Sequence, residues 1–379
     1  MTRRFTHIDR PLLVATLLLL GLGLVMVFSA SANMSEERYG SAYLFVRKQI
    51  LWDGLGLGAL FFCIQMDYHR WQKLALPLLM IALVLLAAVL VVGPVVKGAR
   101  RWIPLGFVSI QPSEIAKLAG VIWVAGYLDR HRSQIKDLRK GFLPPLLILG
   151  LLCGLILKEP DLGTPMLLGL TGLFLLFLSG ASTFHLFGTL LLSTLPLYYE
   201  LFHVGYRHRR LMSFVNPWAD STGTGYQLTQ SLLAFGSGGL FGKGLGASQL
   251  KLLYLPDPHT DFIFPVIGEE LGFIGALAVV LLFVYWGLRG WQVAKRAPDL
   301  FGQLLAAGIT CWVLLQAAIN MSVSCGLMPT KGLPLPFVSF GGSSLIITMA
   351  AVGILLNISA RARAVHSPSA RRQERRGRR

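Results

Sequence analysis

The chain has 379 residues, of which 54% are hydrophobic and only 14% charged, against about 25% charged residues in an ordinary soluble domain. This composition excludes a water-soluble globular protein, because one core cannot bury so many apolar side chains. The net charge of +17 does not indicate a nucleic-acid-binding protein, since the basic C-terminal segment has no interleaved aromatic residues.

Apolar segments along the chain have about the length of 20 residues that a helix needs to cross a bilayer. We therefore predict an all-α polytopic membrane protein with about ten transmembrane helices. The predicted spans are residues 11–29, 48–65, 75–92, 112–128, 141–157, 162–178, 183–201, 262–287, 303–325 and 341–359. The first run is longer than the core of a typical signal peptide and is predicted to be retained.

The distribution of lysine and arginine predicts the orientation of these spans. Basic residues are more frequent in the loops on the side of the two termini, so both termini are predicted to be cytoplasmic. We expect one transmembrane domain, residues 1–360, followed by a basic and disordered tail, residues 361–379, that contacts anionic lipid head groups. The two longest outer segments are 93–111 and 202–261, so the chemistry should face outward. Segment 202–261 is expected to fold back on the bundle as short amphipathic helices.

Glu114 and Lys117 lie inside the fourth predicted span, where an ionisable side chain costs about 2.5–3.5 kcal/mol at the centre. Three residues apart on a helix, they share one face and can form an ion pair. Either the pair is a structural link between helices, or it lines a polar cavity that opens outward beside Arg101 and Trp102.

Asp261 follows a turn-rich segment, residues 255–260, and precedes the apolar eighth span. A carboxylate that is partly desolvated at the outer end of a span is suited to act as a general base. Capping of the helix is the alternative, because Asp261 and Thr260 are both residue types that favour the N-cap. Glu269 and Glu270 follow two turns later, and we expect one of them to be buried beside a cation.

The loop before the last span combines Lys331 with a helix start of sequence Gly341-Gly342-Ser343-Ser344. Free N–H groups at such a start, with a lysine nearby, form a site for a phosphate-like anion. Close packing of helices by these small residues is the alternative.

Several motifs occur in a fixed order over nearly the whole chain: residues 22–32, 98–102, 111–114, 216–218, 225–227, 259–264, 268–272 and 341–344. Together they resemble the SEDS family (shape, elongation, division and sporulation), bacterial membrane glycosyltransferases that polymerise peptidoglycan from lipid II. Residues 225–227 and 329–332 resemble the division member more than the elongation member. Phe340 stands where many members have tyrosine.

The resemblance implies a SEDS-type bundle with a large periplasmic loop between spans 7 and 8, in the bacterial inner membrane at the division septum. It implies that Asp261 is the catalytic residue and that Glu114 and Lys117 lie in the outward cavity. We predict substrate-binding roles for these two residues and for Arg101, Trp102, His259, Thr260, Lys331, Gly341, Gly342, Ser343 and Ser344.

The implied reaction joins the 4-hydroxyl of GlcNAc to C1 of a MurNAc on undecaprenyl pyrophosphate. An alcohol is a weak nucleophile, so one base is needed, and Asp261 is the candidate. The leaving pyrophosphate needs positive charge, for which Arg101, Lys117 and Lys331 are candidates. We expect a divalent cation, Mg²⁺ or Mn²⁺, to assist, although no ligand cluster identifies its site. The expected partners are lipid II, a class B penicillin-binding protein, other divisome proteins and membrane lipids, but no nucleic acid.

Two other functions are compatible with the same residues. A lipid II flippase would use many spans and buried charges without forming a bond, whereas the enzyme makes glycan even in detergent. A division scaffold that regulates the penicillin-binding protein would tolerate Asp261→Asn, which the enzyme would not.

Overall fold

The structure is a computed structural model that describes residues 8–96, 98–106, 108–220, 223, 225–248 and 259–365. The turn-rich residues 255–258 and the part of the basic tail from residue 366 onward lie outside the described residues. Helix α13, described below, ends at Val365, which is five residues beyond the predicted end of the transmembrane domain at residue 360.

Thirteen α-helices and one small hairpin account for most of the described chain. In chain order the helices are α1 (Arg10–Tyr39), α2 (Leu44–Gln65), α3 (Tyr68–Val92), α4 (Pro112–Arg130), α5 (Leu143–Leu157), α6 (Gly163–Leu178), α7 (Thr183–Phe202), α8 (Gly205–Val215), α9 (Tyr226–Gly238), α10 (Ile263–Glu270), α11 (Gly272–Arg296), α12 (Leu300–Ser324) and α13 (Gly342–Val365). The hairpin pairs β1 (Ile103–Leu105) with β2 (Val108–Ile110) in antiparallel register. A 3₁₀ turn, Arg132–Gln134, and a π-helix, Leu138–Phe142, precede α5.

Six helices in the described ranges are long and apolar enough to cross a membrane: α1, α3, α5 with its π-helix, α11, α12 and α13. The chain is thus a multi-pass helical membrane protein, as predicted. Helices α2, α4, α6 and α7 coincide with the remaining predicted spans. However, α6 has only 16 residues, and α4 carries Glu114 and Lys117 in its buried face. The number of ten spans therefore stays a prediction.

The eighth predicted span, residues 262–287, is wrong as a single helix. Helix α10 ends at Glu270, and Gly272 has φ of +69°, a conformation that residues with a Cβ adopt rarely. A Cβ on Gly272 would lie 2.3 Å from the backbone nitrogen of Gly242. The backbone N–H groups of Lys243 and Gly244 donate to the carbonyls of Glu269 and Glu270, at 3.0 Å each. The glycine-rich segment, residues 236–246, thus supplies hydrogen-bond donors for the carbonyl groups at the end of α10. An apolar sequence pattern does not reveal this break.

The ends of α1, α11 and α13 meet at one end of the bundle. Asp9 accepts a hydrogen bond from the N–H of Leu12 at 3.0 Å and so caps α1. Arg289 of α11 donates to Asp9 at 2.6 Å, and the N–H of Asp9 donates to Ser359 of α13 at 3.0 Å. The described parts of both termini therefore lie on the same side, whose cytoplasmic location stays a prediction.

Burial differs strongly between the helices. Helix α12 is mostly buried and contacts α4, α6, α11 and α13, whereas α7 has no buried residue. Helix α13 packs closely on α2, where a Cβ on Gly353 would lie 2.5 Å from the carbonyl oxygen of Leu60. Helix α12 therefore lies at the centre of the bundle, and α7 lies at its periphery. The outer segment 202–261 contains α8 and α9, so the predicted short helices are present.

Candidate functional site

A pocket of about 410 Å³ lies at the end of the bundle opposite the termini. It forms where the segments that precede α4, α6, α10 and α13 meet the end of α7 and helix α8. All these segments belong to the loops predicted to face outward. Seven predicted site residues line it: Arg101, Trp102, Thr260, Asp261, Lys331, Gly341 and Ser344.

Asp261 lies on the pocket wall directly before α10. The N-cap position of α10 is Phe262, so Asp261 lies one residue before it, and capping of α10 by Asp261 stays an alternative. Asn320 of α12 donates to the backbone carbonyls of Asp261 at 2.8 Å and of Leu333 at 2.7 Å. A Cβ on Gly332 would lie 3.1 Å from a carboxylate oxygen of Asp261. The position of the carboxylate is thus set by α12 and by a glycine that leaves it room.

In the described part of the chain, four cations line the pocket: Arg101, Arg207, Arg210 and Lys331. Arg101 is held in place because its Nε donates to the carbonyl of Glu159 at 2.9 Å and its Nη2 donates to that of Pro160. Burial lowers the pKa of Lys331 to about 8, although the charge of Asp161 opposes this shift. At neutral pH the wall is therefore rich in positive charge.

Asp161, which was not predicted as a site residue, is a fixed carboxylate on the same wall. Its Oδ1 accepts hydrogen bonds from the N–H groups of Gly163 at 2.9 Å and Thr164 at 3.2 Å, and its Oδ2 accepts one from the Thr164 hydroxyl at 2.7 Å. Asp161 therefore caps α6 while it faces the pocket. The available signal was a pair of acidic residues, Glu159 and Asp161, in a short outer loop between two apolar spans.

Arg207, Arg210, Gln227 and Thr330 also line the pocket and were not predicted as site residues. The two arginines are three residues apart on α8, and Gln227 belongs to the motif at 225–227. Their residue types suit an anionic, sugar-containing ligand. The sequence could not show that the long outer segment brings them to the pocket.

Glu114 and Lys117 do not line the pocket, so that prediction about the pair is corrected. Both are almost fully buried, and their charged atoms lie 2.8 Å apart. Lys117 also donates to Gln316 of α12 at 2.9 Å, and Gln316 donates to the carbonyl of Pro334 at 2.9 Å. Because this face of α4 packs against α12, the pair lies behind the wall, and Lys117 is connected to the pocket through Gln316 and Pro334.

His259, Gly342 and Ser343 are also behind the wall. The His259 ring lies 4.4 Å from that of Phe45 and 5.4 Å from that of Phe340, between centroids. A Cβ on Gly342 would lie 2.2 Å from Trp52. Ser343 donates to the carbonyl of Ser109 at 2.8 Å. Gly342 and Ser343 thus serve the packing of helices, which was the alternative for this helix start, whereas Gly341 and Ser344 face the pocket. Substrate binding by residues 341–344 stays a prediction.

Glu269 and Glu270 hold the glycine-rich segment against the break between α10 and α11. Glu269 is buried and lies 2.8 Å from the ammonium of Lys243, which confirms the expected carboxylate beside a cation. Ser248 donates to Glu269 at 2.6 Å, and Ser29 of α1 donates to both carboxylate oxygens of Glu270 at 2.6 and 2.7 Å.

The pocket residues do not fit a divalent cation held by the protein. In the part of the chain that the structure describes, no three His, Cys, Asp or Glu side chains converge. Among the described residues, two carboxylates line the pocket, Asp161 and Asp261, and Asp161 already accepts three hydrogen bonds. A resident Mg²⁺ would need more oxygen ligands than this wall offers.

The family model FtsW/RodA/SpoVE, described as cell cycle protein, matches residues 10–364. The chain is 42% identical over 355 residues to the probable peptidoglycan glycosyltransferase FtsW of Geobacter metallireducens, covering 93% of this chain and 95% of the relative. It is also 42% identical over 361 residues to the stage V sporulation protein E of Bacillus subtilis, covering 95% and 99%.

Two solved structures share the fold over almost the full chain. A chain of a peptidoglycan synthase complex, described as coordinating polymerization and crosslinking, superposes with a TM-score of 0.77 at 28% identity and covers 94% of this chain and 98% of that one. The rod shape determining protein RodA of Thermus thermophilus superposes with a TM-score of 0.68 at 30% identity, covering 93% and 96%.

Proposed function

The chain belongs to the FtsW/RodA/SpoVE family, the SEDS family indicated by its motifs, and we propose that it is a peptidoglycan glycosyltransferase that polymerises lipid II. The observation that carries the proposal is the pocket itself. It combines one carboxylate in a position to act as a base, Asp261, with a wall of four cations. The similarity to relatives that are named FtsW supports septal synthesis during cell division as the biological setting.

In the proposed reaction, the 4-hydroxyl oxygen of the acceptor GlcNAc attacks C1 of the donor MurNAc. The new bond joins that oxygen to C1, and the bond from C1 to the phosphate oxygen breaks. The electron pair of the broken bond stays on the undecaprenyl pyrophosphate, and the hydroxyl proton passes to Asp261. No other reactant is required.

Asp261 acts as the general base in this scheme. Its backbone is fixed by Asn320, and Gly332 keeps space open beside its carboxylate. A base that is held in position raises the reactivity of an alcohol by about 10²–10⁴-fold. Because the leaving pyrophosphate is already a weak base, positive charge on the wall is enough to stabilise its departure.

The location of the pocket fits lipid-linked substrates. It lies at the ends of spans, on the side predicted to be periplasmic, so an undecaprenyl chain can stay in the bilayer while its sugars enter the pocket. This geometry supports the outer face of the cytoplasmic membrane as the site of reaction, with both termini in the cytoplasm and the protein at the division septum.

The proposed partner is a class B penicillin-binding protein, with other divisome proteins in the same assembly. The support is the fold shared with a chain of a peptidoglycan synthase complex. In such an assembly, glycan strands made by this chain would be crosslinked by the partner.

A divalent cation is not used in this mechanism, because the pocket residues do not form a site for one. We therefore propose that any Mg²⁺ or Mn²⁺ that assists the reaction is bound by the pyrophosphate of the substrate and not by the protein. Comparison of polymerisation with and without a chelator, for the chain and its partner together, measures that dependence.

The decisive test is polymerisation of labelled lipid II by the purified chain with its penicillin-binding partner in detergent. We expect Asp261→Asn to reduce glycan formation by about 10²–10⁴-fold, with thermal unfolding unchanged. Asp220→Asn, in the same outer segment but away from the pocket, is the matched control.

The same assay separates the rival functions. Glycan formed in detergent, where there are no two sides to cross, counts against a flippase that makes no bond. A division scaffold would function equally well with Asp261→Asn. Near-normal glycan synthesis by that variant would remove Asp261 from the role of base.

A further inference from the structure

Helix α12 carries two buried amide side chains, Gln316 and Asn320. They are four residues apart and therefore lie on the same face of the helix. Gln316 is 1% exposed and Asn320 is 3% exposed. Burial of an amide is costly unless its polar atoms form hydrogen bonds, so the partners of these two side chains indicate which parts of the protein they hold together.

The amide nitrogen of Asn320 joins the segment before α10 to the loop before α13. It donates to the carbonyl of Asp261 at 2.8 Å and to the carbonyl of Leu333 at 2.7 Å. Gly332 precedes Leu333, and a Cβ on Gly332 would lie 3.1 Å from the carboxylate of Asp261. One side chain of α12 thus fixes both the backbone of the proposed base and the backbone beside its carboxylate.

The amide of Gln316 holds the next residue of the same loop. Its Nε2 donates to the carbonyl of Pro334 at 2.9 Å. Its Oε1 accepts hydrogen bonds from the ammonium of Lys117 at 2.9 Å and from the indole of Trp312 at 3.1 Å. A reversed amide would place its oxygen against the carbonyl oxygen of Pro334 and its nitrogen against two donors. The orientation of the Gln316 amide is therefore fixed.

The buried ion pair of α4 contributes to this orientation. The ammonium of Lys117 lies 2.8 Å from Glu114 and 5.1 Å from the centre of the Trp312 ring. Lys117 and Glu114 are both almost fully buried, and a buried ammonium needs a counter-ion. Glu114 thus holds Lys117 against Gln316, and polar contacts continue from the interior of α4 to the loop before α13.

We propose that Gln316 and Asn320 are positioning residues for the glycosyl transfer, and that the buried pair of Glu114 and Lys117 acts on the reaction through Gln316. This inference rests on the proposed function, in which Asp261 is the base. A displacement of about 1 Å in a catalytic geometry can cost about 10²-fold in rate. Side chains that hold the base and its surroundings can therefore control the reaction without contact to substrate.

The two amides hold the carbonyls of neighbouring residues in the loop that carries Lys331 to the pocket wall. Asn320 also holds the backbone of Asp261, so contacts with α12 fix the position of Lys331 relative to the base. The described residues that line the pocket include neither Gln316 nor Asn320. We therefore expect both amides to affect the rate of the reaction and not the affinity for lipid II.

The test measures steady-state polymerisation of lipid II, per folded protein, by the purified chain with its penicillin-binding partner in detergent. Gln316→Glu keeps the size of the side chain and an oxygen for Lys117 and Trp312, but a second acceptor replaces the donor to Pro334. We expect kcat to fall about tenfold, with KM for lipid II and the unfolding temperature nearly unchanged. Asn320→Leu, of similar size but without the donor, should also lower kcat.

Two further variants serve as controls for charge and for burial. Gln316→Met is similar in size and uncharged, so it separates loss of the donor from addition of a carboxylate, and it should lower kcat as much as Gln316→Glu does. Ser324 is buried one turn after Asn320 on the same face of α12, and its hydroxyl has no hydrogen-bond partner among the described residues. Ser324→Ala should leave both kcat and the unfolding temperature unchanged.

A second measurement tests the route from the buried pair. Glu114→Gln combined with Lys117→Met removes both charges, so no unpaired charge remains inside the protein. We expect this neutral variant to fold and to lose about tenfold in kcat, because Gln316 loses a donor that orients it. The further change Gln316→Met should then add little loss, because residues that act through one another are not additive.

Four outcomes would overturn the proposal. Normal kcat in folded Gln316→Met and Asn320→Leu, while Asp261→Asn abolishes polymerisation, would reject the positioning role and keep the glycosyltransferase. A raised KM with unchanged kcat would place these contacts in substrate binding, and a loss of activity that only follows the loss of folded protein would make them structural. Losses that multiply in the combined variant would mean that the buried pair does not act through Gln316. Normal polymerisation by Asp261→Asn would instead remove the base on which the inference rests.

Discussion

The ion pairs away from the pocket and the charged residues on the pocket wall use the same residue types in different ways. Away from the pocket, the buried Lys117 lies 2.8 Å from Glu114, and Lys243 lies 2.8 Å from the buried Glu269. On the wall, four cations and two carboxylates of the described residues border an open pocket. Lys117 and Lys243 connect elements of the fold through Gln316 and Glu269, whereas the wall residues lie where a ligand can reach them. In this protein an ionisable residue within a transmembrane helix is therefore a weaker sign of a substrate site than a charged residue that borders a cavity.

The largest effect should come from reversing one charge of the buried pair. Glu114→Lys or Lys117→Glu places two like charges in the interior, and we expect a loss of roughly 3–5 kcal/mol in the free energy of unfolding. Thermal unfolding in detergent and polymerisation of lipid II measure the loss of folded and active protein.

The double variant Glu114→Lys with Lys117→Glu distinguishes between two roles of the pair. Full recovery of activity means that the pair acts as a structural link. Recovery of folding without activity means that Lys117 and its bond to Gln316 position the pocket. A single reversal that folds and polymerises normally would refute the contrast between buried and wall charges.

A smaller loss is expected for Ser29→Ala. The hydroxyl of Ser29 donates to the buried carboxylate of Glu270, and removing this donor should cost about 1–3 kcal/mol in the free energy of unfolding. Ser193→Ala, at an exposed position on α7, is the control with little expected effect. Equal unfolding temperatures for the two variants would show that Glu270 does not need Ser29.

On the pocket side, Gly332→Ala should slow the reaction without unfolding the protein. The new Cβ would lie 3.1 Å from Asp261, so the carboxylate must shift by a few tenths of an ångström, and we expect kcat to fall roughly tenfold. Gly58→Ala, which has open space around it, serves as control. A fall in substrate affinity with unchanged kcat would mean that Gly332 contacts substrate and does not position the base.

The mildest prediction concerns Glu159, which is fully buried behind Arg101 in the loop between α5 and α6. Burial, and then the charge of Asp161, raise its pKa from 4.5 to about 8. The unfolded chain therefore ionises Glu159 near pH 4.5, whereas the folded chain keeps the proton until about pH 8. The folded chain thus binds the Glu159 proton more tightly than the unfolded chain does. The free energy of unfolding therefore falls as the pH rises from about 4.5 to about 8.

Glu159→Gln removes this titration and gives a direct measurement. The unfolding temperature of the unaltered chain, minus that of the variant, should fall as pH rises from about 4.5 to about 8 and then level off. A difference that rises with pH would mean that Glu159 is ionised and paired in the folded protein.

Local sequence properties were enough to predict the class of protein and most of its helices. The length of an apolar run decides whether a helix can cross a bilayer, so eight predicted spans coincide with single α-helices and a ninth, 141–157, with α5 and the end of its π-helix. The break at Gly272 was missed, because it depends on Gly242 and Lys243 arriving from another segment. The motifs identified the family, and Asp261 does lie on a pocket wall as they indicated.

Only the tertiary structure decided which side chains face the pocket. Lys117 faces Gln316, and Gly342 faces Trp52, whereas Arg207 and Arg210 reach the pocket from a long outer segment. The side of a helix that faces a cavity is set by the elements that pack on its other sides, and those partners can be distant in the chain, as Gly342 and Trp52 are. Sequence alone therefore determined the membrane-spanning framework and the family, while packing between distant helices determined the site.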